Sequence, residues 1–192
     1  MVNFVSSLES ESISRVAFYR ETTAFVNYLK EETEYTTVHV TGHSLGGGLA
    51  LITGAQTNSS AVGLSAPNAL LSRDTFDPPI TKYQLDTLTF NIVPVRDVIP
   101  MFDDLANLYQ NINCTAAAND FIGCHGSTRS VCEIQYTCGS GGRPVICNCA
   151  ADYGYPEPIP TGTGNQTNFT QACLDAAATA DNILFKGLLG VG

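Results

Sequence analysis

The 192 residues contain no tryptophan, only three histidines, and no cysteine before position 114. Nine Lys and Arg stand against 18 Asp and Glu, a net charge of −9. The chain therefore has no basic stripe to meet a phosphate backbone, which excludes a nucleic-acid partner. No run approaches the roughly 18 apolar residues of a membrane-crossing helix, and the opening Met1-Val-Asn-Phe-Val-Ser-Ser has neither the charged nor the continuous apolar region of a secretion signal. What remains is a composition, 44% hydrophobic with mean hydropathy +0.05, that suits a globular domain able to bury a core.

Seven cysteines (114, 124, 132, 138, 147, 149 and 173) crowd the second half of the chain. Four glycosylation sequons accompany them, at Asn58, Asn113, Asn165 and Asn168. Together they favour an oxidising compartment, so the protein is expected to be secreted or to reside in the secretory lumen. An odd cysteine count leaves one thiol free, paired between chains, or separated from a partner outside this sequence. A different reading takes residues 114–173 as a cysteine-rich binding module, with Cys138, Cys147 and Cys149 as zinc ligands, although C-x-C with scattered partners is not a standard zinc spacing.

The order of elements predicts an α/β fold. Residues 10–34 read as one helix, with Ser10 and Ser12 as candidate caps and a broad apolar arc that includes Ile13, Phe18, Phe25 and Tyr28. Residues 36–41 are β-branched like a strand, residues 45–56 return to helical spacing, and short strands follow at 61–66, 86–95 and 108–114. Short crossovers between strands imply a parallel sheet. A helix is expected at 128–136, an irregular Pro/Gly/Thr-rich loop at 153–171, and an Ala-rich helix at 173–185.

Gly42-His43-Ser44-Leu45-Gly46 fits G-x-S-x-G between a strand and a helix. On such a turn a serine hydroxyl stands clear of the sheet, small neighbours let strand and helix approach, and the Leu45 N–H at the helix start faces a developing oxyanion. Ser44 then needs a base. His43 lies within the elbow and points away from the hydroxyl, and His39 belongs to the strand and the layer flanking the sheet, so elimination leaves His125. Asp97 follows the third strand at the C-terminal edge of the sheet, where such sites form, whereas Asp103 and Asp104 lie one turn farther on and Asp86 at the opposite strand end. Ser44, Asp97, His125 is the chain order of α/β-hydrolases. No cofactor and no metal are called for.

Residues 38–50 (Val-His-Val-Thr-Gly-His-Ser-Leu-Gly-Gly-Gly-Leu-Ala), Arg96-Asp97-Val98-Ile99-Pro100, and Cys124-His125-Gly126 together resemble the nucleophile, acid and histidine segments of the fungal-type class 3 lipases, within the α/β-hydrolase superfamily. The resemblance spans about residues 13–138. It implies a mostly parallel sheet with flanking helices and hydrolysis of acylglycerols or other esters through an acyl-Ser44 intermediate. It also implies contact with a lipid interface and no protein partner that can be inferred. In that family several strands, the Arg-Gly motif that supplies the second oxyanion donor, and the lid precede the helix that begins here at Ser10. The chain is accordingly expected to be N-terminally incomplete: residues 1–140 form a partial lipase domain and 141–192 a cysteine-containing extension of unknown role. On that view an impaired fragment or pseudoenzyme is the alternative to an active esterase.

Overall fold

A computed structural model describes residues 18–120, 122–138, 149 and 153. Four strands, β1 (His39–His43), β2 (Ser60–Leu64), β3 (Thr89–Pro94) and β4 (Tyr109–Ile112), form a parallel sheet in the order β1-β2-β3-β4. Helices α1 (Phe18–Glu32), α2 (Leu45–Thr57), α3 (Lys82–Leu88) and α4 (Ser127–Cys138) accompany it. The registers, His43 with Leu64, Leu64 with Ile92 and Pro94 with Ile112, bring every C-terminal strand end to one edge. Loops leaving that edge carry Ser44, Asp97 and His125. The α/β expectation holds, and disulfides Cys114–Cys124 and Cys132–Cys149 lie in the C-terminal part of the described chain.

Helix α2 is buried almost all round because three neighbours cover it. Leu51 packs with Ala61, Ala66 and Val40 on the sheet side, while Ala55 and Ile52 join Ala69, Leu70, Ile80 and Leu85 on the other. On the third side α1 meets it through polar groups. Thr22 and Thr53 share a hydrogen bond of 2.6 Å, Thr23 donates to Gln56, and the Lys30 ammonium donates to the Thr57 carbonyl. The broad apolar arc expected of the first helix is thereby corrected within the described part: Tyr19 and Val26 are buried, whereas Phe18, Phe25 and Tyr28 are exposed. Threonine hydroxyls that satisfy one another leave less apolar surface to cover than composition suggested. The start of this helix, at residues 10–17, falls outside the described residues.

Three further boundaries differ from expectation. The first strand begins at His39 rather than 36 and continues through the elbow's Gly42 and His43. The third strand begins at Thr89, because residues 82–88 coil into α3. A capping box nucleates that helix: the Thr81 hydroxyl accepts the Gln84 N–H and the Gln84 side chain accepts the Thr81 N–H. Asp86 thus lies on a helix, paired with Lys82 and accepting the Asn107 N–H, and not at a strand end. The helix expected at 128–136 extends over Ser127–Cys138.

Ser65, just past β2, is fully buried with φ 52°, and its hydroxyl has no hydrogen-bond partner among the described residues. A left-handed backbone and an unpartnered buried hydroxyl both act against the folded state. Ser65→Gly relieves both while keeping the N–H that donates to Ile92. It is expected to raise stability by about 1–3 kcal/mol in urea unfolding.

Candidate active site

The turn from β1 into α2 is compressed to its steric limit. A Cβ built on Gly42 would lie 2.2 Å from the Gly46 carbonyl oxygen, and one on Gly47 2.7 Å from the Ala66 Cβ. Gly46, the last position of the G-x-S-x-G pattern, has open space instead. The positions that admit no side chain at this turn are therefore Gly42 and Gly47, whereas Gly46 contributes only its backbone to the close approach. Gly42→Ala is expected to lower stability by about 1–3 kcal/mol or more through overpacking. Gly46→Ala is expected to be neutral or to gain up to about 1 kcal/mol from helix propensity. Thermal unfolding of the two variants side by side checks the contrast.

Ser44 sits at φ 57°, ψ −130°, far from any conformation a serine prefers. It occupies the N-cap of α2, yet its hydroxyl does not cap the helix. That is unusual for serine, whose side chain normally bonds the first-turn N–H groups. Main-chain bonds hold the strained residue: its N–H donates to Leu64 and its carbonyl accepts from Gly48. The hydroxyl, turned away from the helix, lies 2.8 Å from Nε2 of His125.

His125 ends a short turn, Gly123–His125, whose closing N–H donates to Ile122. Its Nδ1 lies 3.0 Å from Oδ2 and 3.2 Å from Oδ1 of Asp97. The Asp97 residue is 1% exposed, so a solvated loop carboxylate is not what the fold provides. A carboxylate taken out of water must be paired, and Asp97 is: Oδ1 also accepts the Ile99 N–H at 3.0 Å. Because both carboxylate oxygens only accept, Nδ1 carries the imidazole proton, and Nε2 is left as the acceptor facing Ser44. Ser44, His125 and Asp97 thus form one continuous hydrogen-bonded chain.

The other candidates fall elsewhere. His39 is exposed at the start of β1, not inside a flanking layer, because β1 lies at the edge of the described sheet. The His43 ring turns to the histidine loop. Its Nε2 donates to the His125 carbonyl at 2.7 Å, and its ring lies 4.8 Å from the His125 ring. Asp103 is occupied elsewhere, accepting from the Leu71 and Ser72 N–H groups and the Ser72 hydroxyl. Asp104 follows it in the same exposed or half-buried loop. The Leu45 N–H opens α2, where the first-turn N–H groups have no carbonyl within the helix to donate to and carry the positive end of its dipole.

Zinc ligation through Cys149 is overturned, since its sulfur is bonded to Cys132. No cluster of His, Cys, Asp or Glu that could hold a metal occurs among the described residues. The expectation of an odd thiol falls on the side chains of Cys138, Cys147 and Cys173, outside the described residues, as do the loop and helix expected beyond residue 153. No described helix is long and apolar enough to cross a membrane.

Sequence reading missed Arg96. Its backbone is left-handed, φ 71°, and its guanidinium donates to three carbonyls, those of Cys114, Ala116 and Ala117. Nothing in the sequence signals these bonds, because the acceptors lie on another loop.

Comparison with curated proteins gives no match. The profile of the family Lipase (class 3) matches residues 3–104, a span that includes Ser44 and Asp97 and stops before His125. That span is more than half of the sequence, and its strand, elbow and acid turn stand in a parallel α/β sheet: the chain belongs to the class 3 lipase family.

Proposed function

We propose that this protein is a serine carboxylic ester hydrolase of the triacylglycerol lipase kind, acting through an acyl-Ser44 intermediate. One observation carries the reading: the 2.8 Å bond from Ser44 to His125 continued by the bond from His125 to buried Asp97. As the Ser44 oxygen attacks an ester carbonyl, its proton passes to Nε2 of His125, and Asp97 stabilises the imidazolium that forms. The tetrahedral oxyanion is met by the Leu45 N–H at the start of α2. Collapse expels the alcohol, which takes the proton from His125, and water then attacks the acyl-Ser44 ester by the same route in reverse.

A lipid-like substrate is supported by the chain neighbours of each member of the relay. Leu45, Val98, Met101, Phe102 and Ile122 are all exposed apolar side chains within five residues of Ser44, Asp97 or His125. Such side chains favour a long acyl ester, or the surface of a lipid phase, over a small charged one. Two disulfides and exposed sequons at Asn58 and Asn113 support a glycosylated protein of the secretory pathway. A fluorophosphonate probe tests the reaction. Peptide mass analysis is expected to find the probe on Ser44, with labelling blocked by prior denaturation. A natively folded protein that leaves the probe untouched would sink the reading.

A further inference from the structure

We propose that Arg96 is a positioning residue that sets the distance between Asp97 and His125; this rests on the ester-hydrolase reading above. The two residues reach the site on different loops. The β3–β4 pairing ends at Pro94 and Ile112, and the Val95 N–H to Ile112 carbonyl bond, 2.8 Å, is the last backbone rung. Past it, a separate device must hold the acid turn against the histidine loop, because hydrogen bonding between the two elements of the relay tolerates little drift.

Arg96 supplies that device from the position next to the acid. Nη2 donates to the Cys114 carbonyl at 3.0 Å and the Ala116 carbonyl at 2.6 Å, and Nη1 donates to the Ala117 carbonyl at 3.0 Å. Two of these acceptors, Cys114 and Ala117, connect onward to His125. Cys114 is disulfide-bonded to Cys124, the residue before it. Ala117 accepts the Asp120 N–H, and the Asp120 carboxylate accepts the Gly123 N–H, two residues before it. One guanidinium, on the residue next to Asp97, therefore reaches the histidine by a covalent path and by a hydrogen-bonded one.

The backbone strengthens the inference. At φ 71° Arg96 occupies the left-handed region that favours glycine, and the turn it makes lets the Asp97 N–H reach back to the Pro94 carbonyl at 3.1 Å. Local geometry calls for glycine here, so the arginine side chain is what the position gains. Planar guanidinium donors suit three carbonyls in a way that a single ammonium does not.

Arg96→Gly separates positioning from mere structure, because it relieves the backbone while removing the clamp. Arg96→Met removes the donors at similar length, and Arg96→Lys restores charge with less reach. In the full chain, kcat and KM for a soluble aryl ester are measured beside thermal unfolding and the proton NMR signal of the His125 Nδ1–H, assigned by its loss in His125→Ala. Arg96→Gly and Arg96→Met are expected to lower kcat about tenfold to a hundredfold with KM changed less than about twofold, and to shift or broaden the Nδ1–H signal in protein that is still folded. Arg96→Lys is expected to fall between them and the wild type. Unchanged kcat and an unmoved signal in a folded Arg96→Gly protein overturn the proposal. Failure of both the Gly and the Met variants to fold overturns it too, since Arg96 then serves stability alone. The NMR signal does not require turnover, so a wild-type protein with that signal and no ester hydrolysis counts against the ester-hydrolase reading, while the response of the signal to Arg96→Gly still decides the role of Arg96.

Discussion

Ser44→Ala and His125→Ala are each expected to lower kcat for ester hydrolysis by about 10⁶-fold, and the double variant by no more than either alone. The reason is that in the proposed mechanism the two side chains perform one event. Ser44 attacks only as its proton leaves, and Nε2 of His125, 2.8 Å away, is the acceptor that the fold provides. With the hydroxyl gone the imidazole has no proton to take, and with the imidazole gone the hydroxyl keeps its proton. Additive losses in the double variant would mean that the two residues act independently. His43 could not substitute in His125→Ala, since its Nε2 faces the His125 carbonyl. Both variants should stay folded, because strain at Ser44 is held by the main-chain bonds to Leu64 and Gly48 rather than by the hydroxyl.

Asp97→Asn is expected to lower kcat by about 10⁴-fold, the scale seen when a triad histidine is held in the wrong tautomer. The neighbouring Ile99 decides which way the amide turns. In the native site Oδ1 accepts the Ile99 N–H at 3.0 Å. An asparagine that keeps this bond with its carbonyl oxygen must point its NH₂ at Nδ1 of His125. Nδ1 then becomes the acceptor, the ring proton moves to Nε2, and Nε2 can no longer take the proton of Ser44. Turning the amide over instead sets NH₂ against the Ile99 N–H at a side-chain position that is fully buried, which leaves a donor unsatisfied. A stopped-flow comparison of acylation rates reads the loss directly. Near-native acylation in Asp97→Asn would show that Asp97 does not set the tautomer.

The tight strand-to-helix turn at Ser44 was legible in the sequence because its determinants are local. Val38 to Ala50 carries the strand, the glycines that let helix and strand touch, and the serine between them, all within one stretch of chain. Asp97 was legible for the same reason, as an acid one short turn beyond a strand. His125 could be reached only by elimination among three histidines, and the choice needed no alignment because the chain offers so few. Sequence reading also passed over α3, although Thr81-Lys-Tyr-Gln84 carries a capping box, because the following Leu85 to Leu88 merges with the β-branched run of β3.

What tertiary structure alone decided involves residues far apart in the chain. The sequence determined the alternation of helix and strand around the elbow and the strand ends from which the Ser44 and Asp97 turns leave, since strand pattern and turn glycines act over a few residues. It could not show that Phe18, Phe25 and Tyr28 stay exposed while Thr22 and Thr53 pair inside, because that depends on which face of α1 meets α2. Nor could it show that His43 bonds the backbone of His125, 82 positions away, or that Arg96 spans to the loop at Cys114. The Ser44 hydroxyl prefers to cap its own helix in isolation; only a fold that brings His125 within 2.8 Å gives it another partner. Hydrogen bonds of a few ångströms between distant loops are set by the packing of the whole sheet, and no local pattern encodes them.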